Sequence, residues 1–214
     1  MRNCLSESRV FFREYFRHGR TTGSILPSGR SLARALTRYV RATDEPKQIL
    51  EVGPGTGPVT RQIVRRFGPQ DRLDLVELND AFVDVLHHRL ASEPVFRAVA
   101  DRTRVFHCPV EDLPGQSAYD TIISGLPFNN FTAPEVTRIL DCLRGLLRAG
   151  GTLSFFEYIA IRHARAMVSG RAERERLRQV GEALSSTLNG NEIRRDWIWP
   201  NIPPAWVHHV RFSV

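Results

Sequence analysis

The sequence predicts one α/β domain built on a mostly parallel sheet, and three observations carry that prediction. Runs rich in Val, Ile, Leu and Phe alternate with helical patterns from Lys47 onward, as strand–helix–strand units require. A glycine-rich turn, Gly53-Pro54-Gly55-Thr56-Gly57, separates the first such run from the first helix after it. A length of 214 residues suits one domain with a complete core and is short for two.

Taken in order, strands are expected near 48–52, 72–77, 103–107, 119–124, 151–158, 193–199 and 206–213, with helices near 57–67, 80–91, 133–148 and 163–187. The last two strands are polar and rich in aromatics, and Pro200, Pro203 and Pro204 mark the connection between them, since proline removes ladder donors. Residues 1–45 are expected to form an N-terminal amphipathic helical extension or lid, and residues 46–214 a single structural unit. No internal repeat is present.

Hydrophobic residues at 42% and charged residues at 25% exclude global disorder. The formal charge of +7 predicts attraction to polyanions, either nucleic acid or an anionic membrane surface. Nearly all of the cations are arginines, Lys47 being the only lysine. Arginine grips phosphate or carboxylate in a bidentate manner, although a GC-rich genome produces the same skew. Cys4, Cys108 and Cys142 are odd in number and lack metal-ligand spacing, so neither a disulfide framework nor a metal site is expected. No signal peptide or membrane span is apparent, which leaves peripheral contact as the expected relation to lipid. The expected setting is the cytoplasm.

The chemistry begins at Ile49–Gly57. A buried strand ends in Glu51-Val52, the glycines let the backbone turn sharply and approach a ligand, and Pro58 opens a helix at its favoured first position. The spacing is G-x-G-x-G, with Glu51 two positions before the first glycine, where a dinucleotide fold has G-x-G-x-x-G. This variant resembles motif I of the methyltransferases. Glu77 ends the second strand, where a carboxylate can accept hydrogen bonds from both ribose hydroxyls, with Leu78 beside it. After the third strand, Cys108-Pro109-Val110-Glu111-Asp112-Leu113 resembles the segment by which that family recognises adenine; Pro109 occupies the usual acidic position, so Glu111 or Asp112 is expected to supply the amino-group contact.

Ser124-Gly125-Leu126-Pro127-Phe128-Asn129-Asn130 follows the fourth strand, the place where amino methyltransferases carry an Asn-Leu-Pro-Tyr or Asn/Asp-Pro-Pro-aromatic motif. Gly125 stands where the asparagine would be, so Ser124, Asn129 or Asn130 is expected to replace its amine contact. The carbonyls of Gly125 and Leu126, with Glu157 and Tyr158 at the end of the fifth strand, are further candidate acceptors. Methyl transfer needs no covalent nucleophile, only alignment of the acceptor and exclusion of water.

The order of features resembles the bacterial phospholipid N-methyltransferases and ornithine lipid N-methyltransferases, within the class I S-adenosylmethionine-dependent enzymes. The resemblance rests on Thr22–Ala33, Glu51–Gly57, Ile123–Pro127 and Asn201–Ala205. It implies a Rossmann-like seven-stranded sheet with helices on both faces, S-adenosylmethionine as cofactor with S-adenosylhomocysteine as product, and successive methylation of an amino-lipid headgroup. Phe128-Asn129-Asn130 is more polar than the leucine-rich continuation of the phosphatidylethanolamine enzymes, which favours ornithine lipid. Arg9, Arg13 and Arg17 recur every four residues beside Phe12, Tyr15 and Phe16, so a helix there presents a basic stripe next to an aromatic face, suited to the inner surface of the cell membrane or to packing as a lid. A monomer without a nucleic-acid partner is expected. The alternatives are an RNA adenine N6-methyltransferase and a non-enzymatic basic membrane- or nucleic-acid-binding module. His87-His88 and His208-His209 read as surface or structural residues, and the alternating charges of Arg162–Arg178 as a solvated helix face.

Overall fold

The computed structural model describes residues 29–113, 115, 117–158, 170–199 and 204–212. Six helices and seven strands follow one another among these residues: α1 (Arg30–Leu36), β1 (Gln48–Val52), α2 (Pro58–Val64), β2 (Arg72–Glu77), α3 (Asp80–Ser92), α4 (Pro94–Arg97), β3 (Thr103–His107), β4 (Tyr119–Ser124), α5 (Ala133–Leu146), β5 (Leu147–Tyr158), α6 (Arg171–Leu188), β6 (Glu192–Ile198) and β7 (Ala205–Val210). The strands form one sheet in the order β3-β2-β1-β4-β5-β7-β6. Pairing is parallel from β3 to β5 and antiparallel on both sides of β7. This is the seven-stranded α/β fold that the alternation of apolar runs and helices predicts.

The differences lie at element ends. β5 starts at Leu147, four residues before its expected start, because α5 runs directly into it and the β4–β5 register shifts between Tyr119 and Thr121. α2 stops at Val64 because Gly68 and Pro69 follow closely, and the Gly68 N–H is taken by the Asp71 carboxylate at 2.7 Å. The expected 163–187 helix is described only from Arg171 onward, and Arg9, Phe12, Arg13, Tyr15, Phe16 and Arg17 lie outside the described residues.

Two apolar layers sandwich the sheet. On one face Leu140 and Leu143 of α5 and Val180 and Leu184 of α6 bury Ile122, Leu153 and Phe155. On the other, Leu32 and Leu36 of α1 and Ile63 of α2 pack on Ile49, Ile123 and Val207. Helix α1 is thus part of the core, and burial of this face supplies its stability, since seven residues form no stable helix alone.

α1 is also tied to the antiparallel edge. The carboxylate of buried Asp196 on β6 accepts from the Arg38 Nε–H at 2.6 Å and the Arg194 Nε–H at 2.8 Å, and lies 3.3 Å from His209 Nε2. His209 Nδ1 in turn meets the Ser154 hydroxyl on β5 at 2.8 Å. Both adjacent histidines are buried on opposite faces of β7, as the alternation of a strand requires, and so act as structural residues and not surface ones. Burial lowers the His209 pKa to about 4, which keeps the ring neutral at neutral pH.

Removing the shared acceptor leaves these donors unpaired at a cost of about 1–3 kcal/mol. Asp196→Ala is therefore expected to lower the melting temperature by on the order of 5 °C in a domain of this size, measured by calorimetry.

Candidate active site

Strand order reverses between β1 and β4, and in open α/β sheets the crevice at such a point binds ligands beyond the carboxyl ends of the strands. The Gly53–Gly57 turn stands there. Gly53, Gly55 and Gly57 have φ values of +70°, +55° and +82°, a region that side-chain-bearing residues rarely adopt. Pro54 accepts the Gly57 N–H through its carbonyl at 2.9 Å, closing the turn, and Thr56 sits between them half-buried.

The loop after β4 presses against this turn. The Gly125 N–H donates to the Val52 carbonyl at 2.7 Å, and a Cβ at position 125 would stand 2.6 Å from the Gly53 carbonyl oxygen. The asparagine of the related motif has no room here. A Cβ on Gly53 would meet the end of the Leu126 side chain at 2.9 Å, so the close backbone approach of the two loops rests on Gly125, while Gly53 is favoured by its positive φ. The buried Ser124 hydroxyl accepts from the Leu126 N–H at 3.3 Å and shapes the bend.

A cleft opens beside this contact, with Gly53, Glu77, Leu78, Pro109, Val110 and Leu126 among its walls. Glu77 is buried and pre-positioned. One carboxylate oxygen accepts from the Gly55 N–H at 3.0 Å, the other from the Leu78 and Asn79 N–H groups at 2.8 and 2.9 Å. Burial raises its pKa, while the three N–H donors oppose the rise. Glu51 lies deeper, fully buried, and accepts the Thr60 hydroxyl of α2 at 2.6 Å, fastening strand to helix beneath the glycine turn. Burial, reinforced by the Glu77 charge, pushes its carboxyl up to about 8, so Glu51 is neutral at neutral pH.

At the β3 end the geometry selects among the expected residues. Val110 lines the cleft along with Cys108 and Pro109, whereas Glu111 pairs with Arg138 of α5 at 3.5 Å and leaves its second oxygen buried without a hydrogen bond. Asp112 is exposed. The wall opposite Glu77 is thus apolar.

Past Leu126, Phe128–Asn130 form a single 3-10 turn. Phe128 is 1% exposed and packs edge-on to Phe155 at a centroid distance of 5.5 Å. Asn129 donates through Nδ2 to the Tyr158 carbonyl at 3.3 Å, joining the ends of β4 and β5, while its Oδ1 is buried with no hydrogen-bond partner. Arg176, which the charge alternation of its helix hides, reaches inward and donates to the carbonyls of Asn129, at 3.0 Å, and Phe131. Glu173 holds that guanidinium at 2.7 Å. A capping box of Thr132 and Glu135 then starts α5 directly behind the turn.

A family description reading "methyltransferase domain" matches residues 49–151, the span from β1 into β5. Among curated proteins, the chain is 27% identical over 145 residues to the ornithine lipid N-methyltransferase of Singulisphaera acidiphila, covering 68% of this chain and 74% of that protein. It is 31% identical over 114 residues to a malonyl-acyl-carrier-protein O-methyltransferase of Halalkalibacterium halodurans, covering 53% of this chain but 40% of that one. The chain is an S-adenosylmethionine-dependent methyltransferase. Its fold is shared with the O-methyltransferase TomG of Streptomyces achromogenes, solved in complex with the cofactor, at a TM-score of 0.62 and 16% identity over 99% of this chain and 90% of that one.

The methyltransferase's residues fit that cofactor. The glycine turn brings bare backbone to the crevice, Glu77 offers buried acceptor oxygens where ribose hydroxyls are recognised in such folds, and the Leu78–Val110–Leu126 walls suit a flat apolar base.

Gly125→Ala places a methyl group against backbone that cannot swing away, so cofactor affinity is expected to fall at least about tenfold with secondary structure retained, by calorimetry and circular dichroism. Between about pH 4.5 and about pH 8 folded Glu51 holds a proton that the unfolded chain releases, so its contribution to stability falls as pH rises through that window. Glu51→Gln removes this slope. Urea unfolding at a series of pH values is expected to show a shallower decline for the variant than for the parent.

Proposed function

We propose that this methyltransferase adds methyl groups, successively, to the amine of a membrane-lipid headgroup, with ornithine lipid favoured over phosphatidylethanolamine. The observation that carries the reading is the buried, unpartnered Asn129 Oδ1 on the turn that follows Leu126, a wall of the cofactor cleft. An acceptor in that state suits an N–H donor from the substrate. The alignment with an ornithine lipid N-methyltransferase over most of that protein's length supports the same acceptor class.

The cofactor, when bound, supplies a sulfonium-activated methyl group. The chain's part is to hold the amine and keep water out. The ammonium gives one proton to water, and two of the acceptors Asn129 Oδ1, Gly125 carbonyl and Leu126 carbonyl take the two remaining amine hydrogens, leaving the nitrogen lone pair free to face the crevice. A headgroup amine has an ordinary pKa of about 10, and the apolar surroundings of Leu126 and Phe128 disfavour its charged form, which promotes loss of the proton. Ser124 shapes the turn that presents these groups, and Tyr158, at the end of β5, anchors Asn129 through its backbone. Glu77 holds the ribose, the Gly53-Pro54-Gly55-Thr56-Gly57 backbone and Leu78 and Val110 the rest of the nucleoside, and Glu51 supports the turn from below.

Methylation of adenine in RNA is the second reading, favoured by the Leu126-Pro127-aromatic sequence after β4. Against it, the aromatic that would stack on a flipped base is Phe128, which is buried against Phe155 and Phe131 and presents no face.

The proposal includes peripheral attachment at the inner face of the cell membrane, with the basic and aromatic residues of 9–17 as one contact. Among the described residues no helix is long and apolar enough to cross a membrane. Radiolabelled cofactor is expected to label ornithine lipid in vesicles and, less, phosphatidylethanolamine. Label in RNA alone would refute the lipid reading. Deleting residues 1–20 is expected to weaken vesicle binding more than cofactor binding.

A further inference from the structure

We propose that the tryptophan-bearing edge formed by β6 and β7 is a surface on which the enzyme seats itself against an anionic lipid bilayer. The inference rests on the lipid-substrate reading above and names the face that meets the lipid. The chain has three tryptophans, and all three, Trp197, Trp199 and Trp206, stand together. Trp197 lies 4.9 Å from Trp206 and 5.3 Å from Trp199 between ring centroids. Trp197 and Trp199 are 57% and 70% exposed, and Ile193, at the irregular start of β6, is 43% exposed. These are the large exposed apolar side chains among the described residues; Ile193 and Trp197 belong to the edge strand β6, and Trp199 follows its last residue.

Their position is set by pairing. Ile198 lies opposite Ala205, and Ala205 opposite Tyr158, so Trp197 and Trp206, with Trp199 beside them, cluster at the end of the sheet where Tyr158 of β5 anchors Asn129. A bilayer meeting this edge would meet the mouth of the site at the same time.

The charge around the edge selects the occupant. Ile198, between the two exposed tryptophans in sequence but turned to the opposite face, lines a groove with Arg34, Arg38, Arg41, Arg65 and Arg66. Arg38 has Asp196 as its partner, whereas Arg34, Arg41 and Arg65 have no ion-pair partner among the described residues. Burial and then the like charges of Arg38, Arg34 and Arg41 lower the Arg66 pKa, so these cations crowd one another. Phosphates of anionic headgroups relieve that crowding, while tryptophan, with an apolar body and one N–H, has its preferred place at the headgroup boundary. RNA fits less well, because the rings pack tilted or edge-on against one another and leave no slot for a stacked base.

Since there is no tryptophan elsewhere in the chain, the tryptophan fluorescence of the full-length protein, excited selectively over its tyrosines, reports on this edge alone. Titration with phosphatidylglycerol-containing vesicles is expected to shift the emission to the blue, and brominated acyl chains to quench it; phosphatidylcholine vesicles are expected to do so more weakly. The double variant Trp197→Ser/Trp199→Ser is expected to sediment with anionic vesicles about tenfold less well, since burial of two large rings is lost, while binding the cofactor as the parent does. Co-sedimentation without spectral change, a shift with RNA and not with vesicles, or unaltered sedimentation of the double variant each overturns the inference. A protein that methylates amino lipids in detergent micelles but whose tryptophans ignore the bilayer overturns this docking face alone. Tryptophan quenching by vesicles without label in any lipid supports the face and sinks the substrate reading.

Discussion

Where the strand order reverses, β1 and β4 deliver two loops to one place, and their separation is set by the missing side chain at Gly125. The Gly125 N–H to Val52 carbonyl bond continues the β1–β4 pairing one step beyond the sheet, and the Gly53 carbonyl fills the volume that a Cβ at 125 would need. Leu126 is thereby laid over Gly53 and becomes a wall of the cleft. The turn that follows inherits its position, so Asn129 reaches the end of β5 and Arg176 finds two outward carbonyls to bind. Cofactor cleft and proposed amine site are therefore two sides of one close contact. Position 125 cannot both carry the asparagine of the related motif and keep this packing.

The parts of this arrangement readable from sequence are those whose cause is local. The strand boundaries of β1 to β4 follow from apolar runs bounded by polar residues, the glycine turn from its spacing, and Glu77 from its place at a strand end. What depends on pairing register is hidden. Nothing near Asp196 in sequence indicates that its carboxylate is shared by Arg194, His209 and Arg38, the last in the turn just past α1. Arg176 reads as one more charge on an alternating helix, and only the packing of α6 beside the 128–130 turn distinguishes it from Arg178, which stays among exposed carboxylates. The pairing of Glu111 with Arg138 of α5, 27 positions later in the chain, is hidden for the same reason.

The antiparallel return of β7 joins the parallel half of the sheet to its aromatic edge. Cofactor recognition uses the parallel strands, whose carboxyl ends all point to the crevice, and this half is common to methyltransferases acting on unrelated acceptors. A parallel strand in the place of β7 would start at the far end of the sheet and carry Trp206 away from the site. Because β7 runs back, its first residues and the last residues of β6 lie beside Tyr158. The one reversal in the sheet thus brings an aromatic edge to the end where the methyl group is transferred, and substrate choice can be set there without altering the half of the fold that holds the cofactor.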